Sequence, residues 1–249
     1  APTVRQQKPF VAGVVASIEA DRCTACGICI RKCRFEAIQL QETTAVVDAV
    51  ACEGCGVCRL VCPEAAVKLV RDEAGAWFRS DTAFGPMVHA LLSPGAENSG
   101  KLVEQVRRAA VEEADRTRAE WVVIDGPPGI GCSAKSAITG TDFVLLVTEP
   151  TVSGAHDVER VVQLAEFFRV PMGMIVNKST LDSERTGELR EFARSKGIAW
   201  LGDIPFDRSV VDAVTELKAY PLEHNNAISR MLRSSWRRVR ELTAGHPHG

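Results

Sequence analysis

The sequence predicts an α/β chain: a parallel sheet covered on both faces by helices, joined to a small cysteine-rich module built from two half-repeats. Three observations predict this. Short apolar runs at 122–124, 143–147, 172–176 and 198–204 alternate with amphipathic stretches near 154–168, 184–196 and 209–217. Near-continuous apolar strands between helices belong to a sheet buried on both faces. Eight of the nine cysteines fall between Cys23 and Cys62. Finally, "CTACGICIRKCRFEAIQL" from Cys23 aligns with "CEGCGVCRLVCPEAAVKL" from Cys52, an internal repeat that predicts two half-modules related by a pseudo-two-fold. The expected division is a lead-in at 1–20, the cysteine module at 21–75 and the α/β domain at 76–249.

The cysteines form two runs of C-x2-C-x2-C-x3-C: Cys23, Cys26, Cys29, Cys33, then Cys52, Cys55, Cys58, Cys62. Three closely spaced thiolates on a tight loop hold one face of an iron–sulfur cube, and the fourth cysteine of each run ligates the other cube. The expected sets are therefore Cys23, Cys26, Cys29 and Cys62 on one [4Fe–4S] cluster, and Cys52, Cys55, Cys58 and Cys33 on the other. Gly27 and Gly56 follow the second cysteine of each run, where backbone passes close to inorganic sulfide. Zinc knuckles would pair two C-x2-C units across a longer gap, and disulfides would need an oxidising compartment. The spacing favours two cubes over both. The first run has Arg34 where the second has Pro63.

The 249 residues carry a net charge of −2, so no chain-wide basic field for nucleic acid exists. With 45% hydrophobic and 25% charged residues the composition is that of a globular protein. No apolar run reaches the ~18 residues that would span a membrane. No signal-peptide pattern opens the sequence, and thiol ligands without one predict a reducing cytoplasm. The first residue is Ala1, which predicts a processed, trimmed or partial chain.

Taken in order, residues 1–20 read as a strand and turn, mostly apolar over 11–18. Residues 76–92 read as extended, and Ser93-Pro94-Gly95 breaks them. Asn98 or Ser99 is placed to cap a helix over 100–118, with Leu102, Val103, Val106, Ala109, Ala110 and Ala114 on one stripe. Over the last helix, 223–243, Ile228, Met231, Leu232, Trp236, Val239 and Leu242 form a stripe with the arginines largely elsewhere. Docking on the sheet explains that stripe with less than a membrane-surface helix does. His246 and His248 lie in a tail, and His89, His156 and His224 show no ligand spacing.

Ligands of such sheets sit beyond the carboxyl ends of the strands. Those ends read Asp125-Gly-Pro-Pro-Gly129, Thr148-Glu-Pro150, Asn177-Lys178 and Pro205-Phe-Asp207. An Asp after an apolar strand, followed by a glycine loop, resembles a Walker B and switch II segment. Asn177-Lys178 resembles the base-reading element of P-loop nucleotidases, and Thr180, where guanine reading needs Asp, favours adenine.

Together, "WVVIDGPPGIGCSAKSAITGTDFVLLVTEPTVSGAHDVE" from Trp121, "GAENSGKLVEQVR", "VNKSTLD" and "GDIPFD" resemble the MinD/Mrp-type P-loop ATPases, in the subgroup with an inserted ferredoxin module. The resemblance runs from about residue 8 to 240. It implies a MinD/ParA-type α/β fold, ATP with Mg²⁺, and electron transfer gated by nucleotide state. It also implies a homodimer or a paralogous partner, and a redox partner or apo-protein acceptor. By that resemblance Asp125 is the Mg²⁺-site carboxylate and catalytic residue, Gly129 the switch glycine and Asn177 the adenine contact. Pro205 lies on the base-side loop. Cys132 has the spacing of a switch-II cysteine but reads as a plain loop thiol, and Lys135 as a solvated lysine. One feature departs from the family: its K-G-G-x-G-K-[ST]-[ST] loop does not occur in these 249 residues. The near match Gly95-Ala-Glu-Asn-Ser-Gly100-Lys101-Leu102 has Leu102 where the Mg²⁺-ligating Ser/Thr belongs. The expectation is a truncated or separately encoded copy that does not hydrolyse ATP by itself.

Overall fold

The computed structural model describes residues 2–96 and 100–244. It forms two compact units divided between Ile124 and Asp125. The expected boundary at 75–76 falls inside the first unit, because the strand that leaves the cysteine module runs on without interruption. The helix cap expected at Asn98 or Ser99 and the middle of the Gly95–Lys101 near match lie outside the described residues, as do His246 and His248.

In the first unit, β1 (Thr3–Ile18) pairs antiparallel with β4 (Val67–Thr82), and β4 with β5 (Gly85–Leu92). The lead-in is thus a full strand. The repeat is inserted between β1 and β4: α1 (Ile28–Lys32), β2 (Ile38–Gln41), β3 (Thr44–Val47) and α2 (Val57–Val61). Its pseudo-two-fold is visible in the registers. Ile18 pairs with Val67 as Val47 pairs with Ile38. The inward residues Ala16, Ile38, Ala45, Cys58 and Val67 form one core.

Beyond the repeat, Leu102 of α3 (Gly100–Thr117) packs on Phe10 of β1 and Ala74 of β4. The expected stripe of α3 buries Leu102 and Ala109, and in line with them Glu113. A buried carboxylate needs charged partners. Arg116 donates to both its oxygens, at 2.6 and 3.2 Å, and Arg5 of β1 donates to one of them. Glu112 beside it takes Arg79 of β4 at 2.5 Å. The end of α3 is therefore fastened to two strands by charge as well as by apolar burial.

The second unit holds a parallel sheet in the order β6 (Val144–Thr148), β7 (Met172–Asn177), β8 (Ala199–Ile204). Alternation along β7 serves both faces. Met174 and Val176 enter a core with Val158 and Val162 of α5 (Val152–Phe168) and Leu189 and Ala193 of α6 (Ser183–Ser195). Ile175 points the other way, into a core with Ala213 of α7 (Arg208–Thr215), Tyr220 of α8 (Tyr220–Glu223), and Ile228 and Val239 of α9 (Ala227–Thr243). A doubly covered parallel sheet is the predicted arrangement, and α9 docks on it. Two details differ. Trp236 is 42% exposed, whereas Ser229 and Ser235 are buried, Ser235 donating to the Leu201 carbonyl at 2.9 Å. The helix also starts at Ala227 rather than 223.

The remaining correction concerns residues 122–124, expected as a buried strand. They carry no ladder, and Val123 is 80% exposed. A strand exists through the hydrogen bonds of its neighbours, and among the described residues this apolar run has no neighbour to pair with.

Candidate metal centre

Each cysteine run folds the same way. The first three cysteines wrap a tight loop, the third lies in a five-residue helix, and the fourth ends that helix in extended backbone. The helices open on Gly27 and Gly56, both left-handed at φ +71° and +76°. Ala25 and Gly54 are left-handed as well, at +55° and +63°. Tight curvature turns the three thiols of each loop toward one concavity.

Two hollows result. One, with about 340 Å³ of empty space open to solvent, is lined by Cys52, Cys55, Cys58 and Cys33. The other, about 370 Å³, is lined by Cys23, Cys26, Cys29 and Cys62. Each hollow thus gathers three cysteines of one run and the last of the other, the crossed sets read from the spacing. Among the described residues no three His, Cys, Asp or Glu side chains gather to hold a lone metal ion. Each hollow offers four thiols, the ligand number of a cysteine-held iron–sulfur cube.

The walls are apolar and built by strands and the residues that lead into them. Ala16, Ala37 and Ile38 face the first hollow, and Ala45, Ala66 and Val67 the second. These residues correspond at the same 29-residue offset that carries Cys23 to Cys52. The backbone N–H of Ala16 in β1 donates to Cys52 Sγ at 3.4 Å. The Cys23 thiol is held below its usual pKa by the backbone N–H groups of Ala45 and Ala25 and by the Thr44 hydroxyl. Burial pushes the Cys29 and Cys58 thiols up. Holding a metal there as thiolate would release a proton, which makes loading more favourable at higher pH. Donors aimed at sulfur, apolar walls and four thiols per hollow are the surroundings a cysteine-ligated iron–sulfur cube requires. Ala16, whose N–H donates to Cys52, and Ala45, at the equivalent place beside Cys23, were not singled out from the sequence. Extending the repeat upstream of each first cysteine would have found them.

At the other predicted site, the carboxyl edge of the sheet, Asn177 ends β7 beside Ile204, which ends β8 and precedes Pro205. The Asn177 side chain accepts from the Lys178 N–H at 3.0 Å, and Lys178 pairs with Glu149, after β6, at 2.7 Å. The Phe206 N–H donates to the Thr180 hydroxyl at 3.1 Å. Asn177 and Pro205 are therefore neighbours on one rim. Asp125 is not placed there by a strand: it is exposed on the ladder-free stretch. Gly129 follows at φ +83°, and exposed Cys132 opens α4 (Cys132–Ile138), which also bears exposed Lys135. Among the described residues no helix is long and apolar enough to cross a membrane.

Comparison with known proteins agrees with both halves of this picture. The 4Fe–4S binding domain family matches residues 16–39, which contain the first cysteine run. An uncharacterized protein of Methanocaldococcus jannaschii is 30% identical over 222 residues, 89% of this chain and 73% of that protein. The septum site-determining protein MinD of Bacillus subtilis is 27% identical over 156 residues, 59% of this chain and 58% of its own length. The MinD cell division protein of Aquifex aeolicus superposes with a TM-score of 0.47 at 22% identity, covering 55% of this chain and 61% of that one. The match thus spans about three fifths of the length of each of these two MinD proteins. It belongs to the MinD/ParA-type P-loop ATPases, in the group that carries a ferredoxin-like insert.

Proposed function

We propose that the chain binds two [4Fe–4S] clusters, one through Cys23, Cys26, Cys29 and Cys62 and the other through Cys52, Cys55, Cys58 and Cys33, and that it passes single electrons between them and a redox partner. The observation that carries this reading is the pair of hollows, each lined by three thiols of one run and one of the other. When bound, the clusters supply one-electron chemistry. The protein's residues supply thiolate ligands, N–H donors to sulfur and apolar walls that limit water. Fully cysteine-ligated cubes set in such walls suit repeated electron transfer.

ATP state would gate that transfer in a homodimer or with a paralogous partner. Asn177 and Pro205 would form the base side of an adenine site, Asp125 would place Mg²⁺, and Gly129 would let the switch loop move. Membership of an ATPase family and the polar rim at the strand ends support this part. A second reading, delivery of an assembled cluster to an apo-protein, has one observation in its favour: Cys26 and Cys55 are exposed, so one corner of each hollow faces solvent.

Anaerobic reconstitution followed by iron and sulfide analysis tests the first reading. About eight of each per chain are expected from eight ligands in this spacing. Two zinc ions and no iron would refute it. Incubating the loaded protein with a cluster-free acceptor separates the two roles, since iron that stays on the chain through repeated reduction and oxidation excludes delivery.

A further inference from the structure

The two short helices of the cysteine module turn their thiols inward and a different set of side chains outward. α1 packs against α2. Cys29 and Cys58 sit within them and join the module core, and each helix runs directly into the fourth cysteine of its run, Cys33 or Cys62. Arg31, Lys32, Arg59 and Leu60 are exposed, Leu60 by 85%. The exposed side chains of the helix pair are thus three cations and one leucine, and neither helix contains an acid. Arg34, one residue past Cys33, is exposed as well and adds a fourth cation.

Those cations lack counterions. Elsewhere in the same unit Arg5, Lys68, Arg79, Arg108 and Arg116 each meet a carboxylate. Among the described residues no carboxylate pairs with Arg31, Lys32, Arg34 or Arg59. The acids of the module lie in its loops and turns, Glu53 and Glu64 among them at the hollows. Arg31 reaches back over its own loop instead, its Nη1 3.5 Å from the carbonyl of Cys26, the exposed cysteine of that hollow. Like charges gathered on one face repel one another, so such a surface gains most from an anionic partner. An exposed leucine alone is ordinary. Set among unpaired cations it has the make-up of an interface, an apolar centre inside a charged rim.

We propose that the outer face of α1 and α2 is the docking surface for the redox partner, and that this partner is a protein with an acidic face that receives Leu60. The proposal rests on the two-cluster reading above. Its physical reason is distance. A helix is about 10 Å thick, and these two helices carry or end on ligands of both hollows. A partner seated on them is therefore one helix away from either cluster. Opposite charge raises the rate of encounter and fixes orientation, and the leucine holds the seated complex. Transfer moves one electron from a reduced cluster to the partner's acceptor group, and no bond of the chain breaks.

The test uses the reconstituted chain, reduced with dithionite, freed of the excess and mixed in stopped flow with one of two proteins of opposite charge. The first is an acidic flavodoxin, whose flavin quinone takes one electron from a cluster and a proton from water and becomes the neutral semiquinone. The second is basic cytochrome c, whose haem iron passes from ferric to ferrous. With flavodoxin the second-order rate constant should fall about tenfold between ~0.02 and ~0.3 M salt, and with cytochrome c it should not fall. Arg59→Glu should slow flavodoxin about fivefold at low salt and meet wild type at high salt. Leu60→Ser should slow it about fivefold at both. Arg160→Glu, the same change of charge on the exposed surface of α5, should leave it unchanged. Iron content and a potentiometric titration separate the failures. Fewer than two clusters in wild type overturns the two-cluster reading. Two clusters with Arg59→Glu and Leu60→Ser as fast as wild type, or with Arg160→Glu as slow as Arg59→Glu, overturn the docking surface and leave the clusters standing. So does a shift of reduction potential in Arg59→Glu large enough to account for its rate, which would assign the cations to the clusters' own electrostatics.

Discussion

Replacing Gly54 by Ala tests how closely the second cysteine loop is built against β1. Gly54 is left-handed at φ +63°, and a Cβ there would lie 2.0 Å from the Val14 carbonyl oxygen and 3.2 Å from its Cγ2. Restoring ordinary contact at 3.4 Å requires the loop and β1 to part by about 1.4 Å. Neither side can yield by rotating a side chain, because the blocking atom is backbone. The left-handed conformation alone costs Ala roughly 1–2 kcal/mol, and forcing volume into a packed contact adds about 1–3 kcal/mol. The total of about 2–5 kcal/mol corresponds to a loss of roughly 4–20 °C in melting temperature for a chain of this size. The same movement would break the Ala16 N–H to Cys52 Sγ bond, now 3.4 Å. The equivalent position in the first half is Ala25, already left-handed at φ +55°, so Ala25→Gly is the matched control. Melting curves together with iron per chain after anaerobic reconstitution provide the assay. Gly54→Ala should melt early and lose iron from the Cys52 set, while Ala25→Gly should hold both clusters. A Gly54→Ala chain with the wild-type transition and eight irons would refute the reasoning.

Cys62→Ser should deplete the cluster held by Cys23, Cys26 and Cys29, far from it in sequence, and spare the Cys52 set; loss from the Cys52 set instead would mean that ligation is not crossed. Glu113 is held down to about 2 by hydrogen bonds and charge from Arg116 and Arg5, against burial. A depressed carboxylate contributes stability above its ordinary range near 4.5, and that contribution is lost as pH falls from there through about 2. Glu113→Gln should therefore destabilise by about 1–2 kcal/mol at pH 7, the figure being reduced for screening at the largely exposed Arg116, and denaturant titrations should find wild type and variant converging near pH 2. The 249-residue chain should release no phosphate from ATP at a useful rate, because the amides and lysine that cradle the β- and γ-phosphates do not occur in it; steady-state release that disappears in Lys101→Ala would assign that role to the near-match loop.

Spacing predicts the cysteine partition, and the two hollows gather the same two sets of thiols. The ligand order C-x2-C-x2-C-x3-C is a local property, since three thiols on one loop must share a concavity, and the alignment of two copies predicts the exchange of the fourth. The parallel sheet was legible for a similar reason: strands buried on both faces leave uninterrupted apolar runs, and β6, β7 and β8 lie within a residue of those runs. Residues 122–124 show the limit of that signal. Their run is as apolar as the others, but an apolar pattern is only a capacity for burial, and pairing depends on a neighbour that composition cannot supply. The partners of α3 were hidden because Glu113 reads as one more surface acid until Arg5, 108 residues away, is brought over it. The difference between the halves of the repeat also belongs to the tertiary structure. Ala25 and Gly54 stand at equivalent positions, yet only at Gly54 would a Cβ strike a carbonyl of β1. Sequence repetition carries local geometry faithfully, whereas the contacts that make two like sites unlike come from chain segments outside the repeated loop.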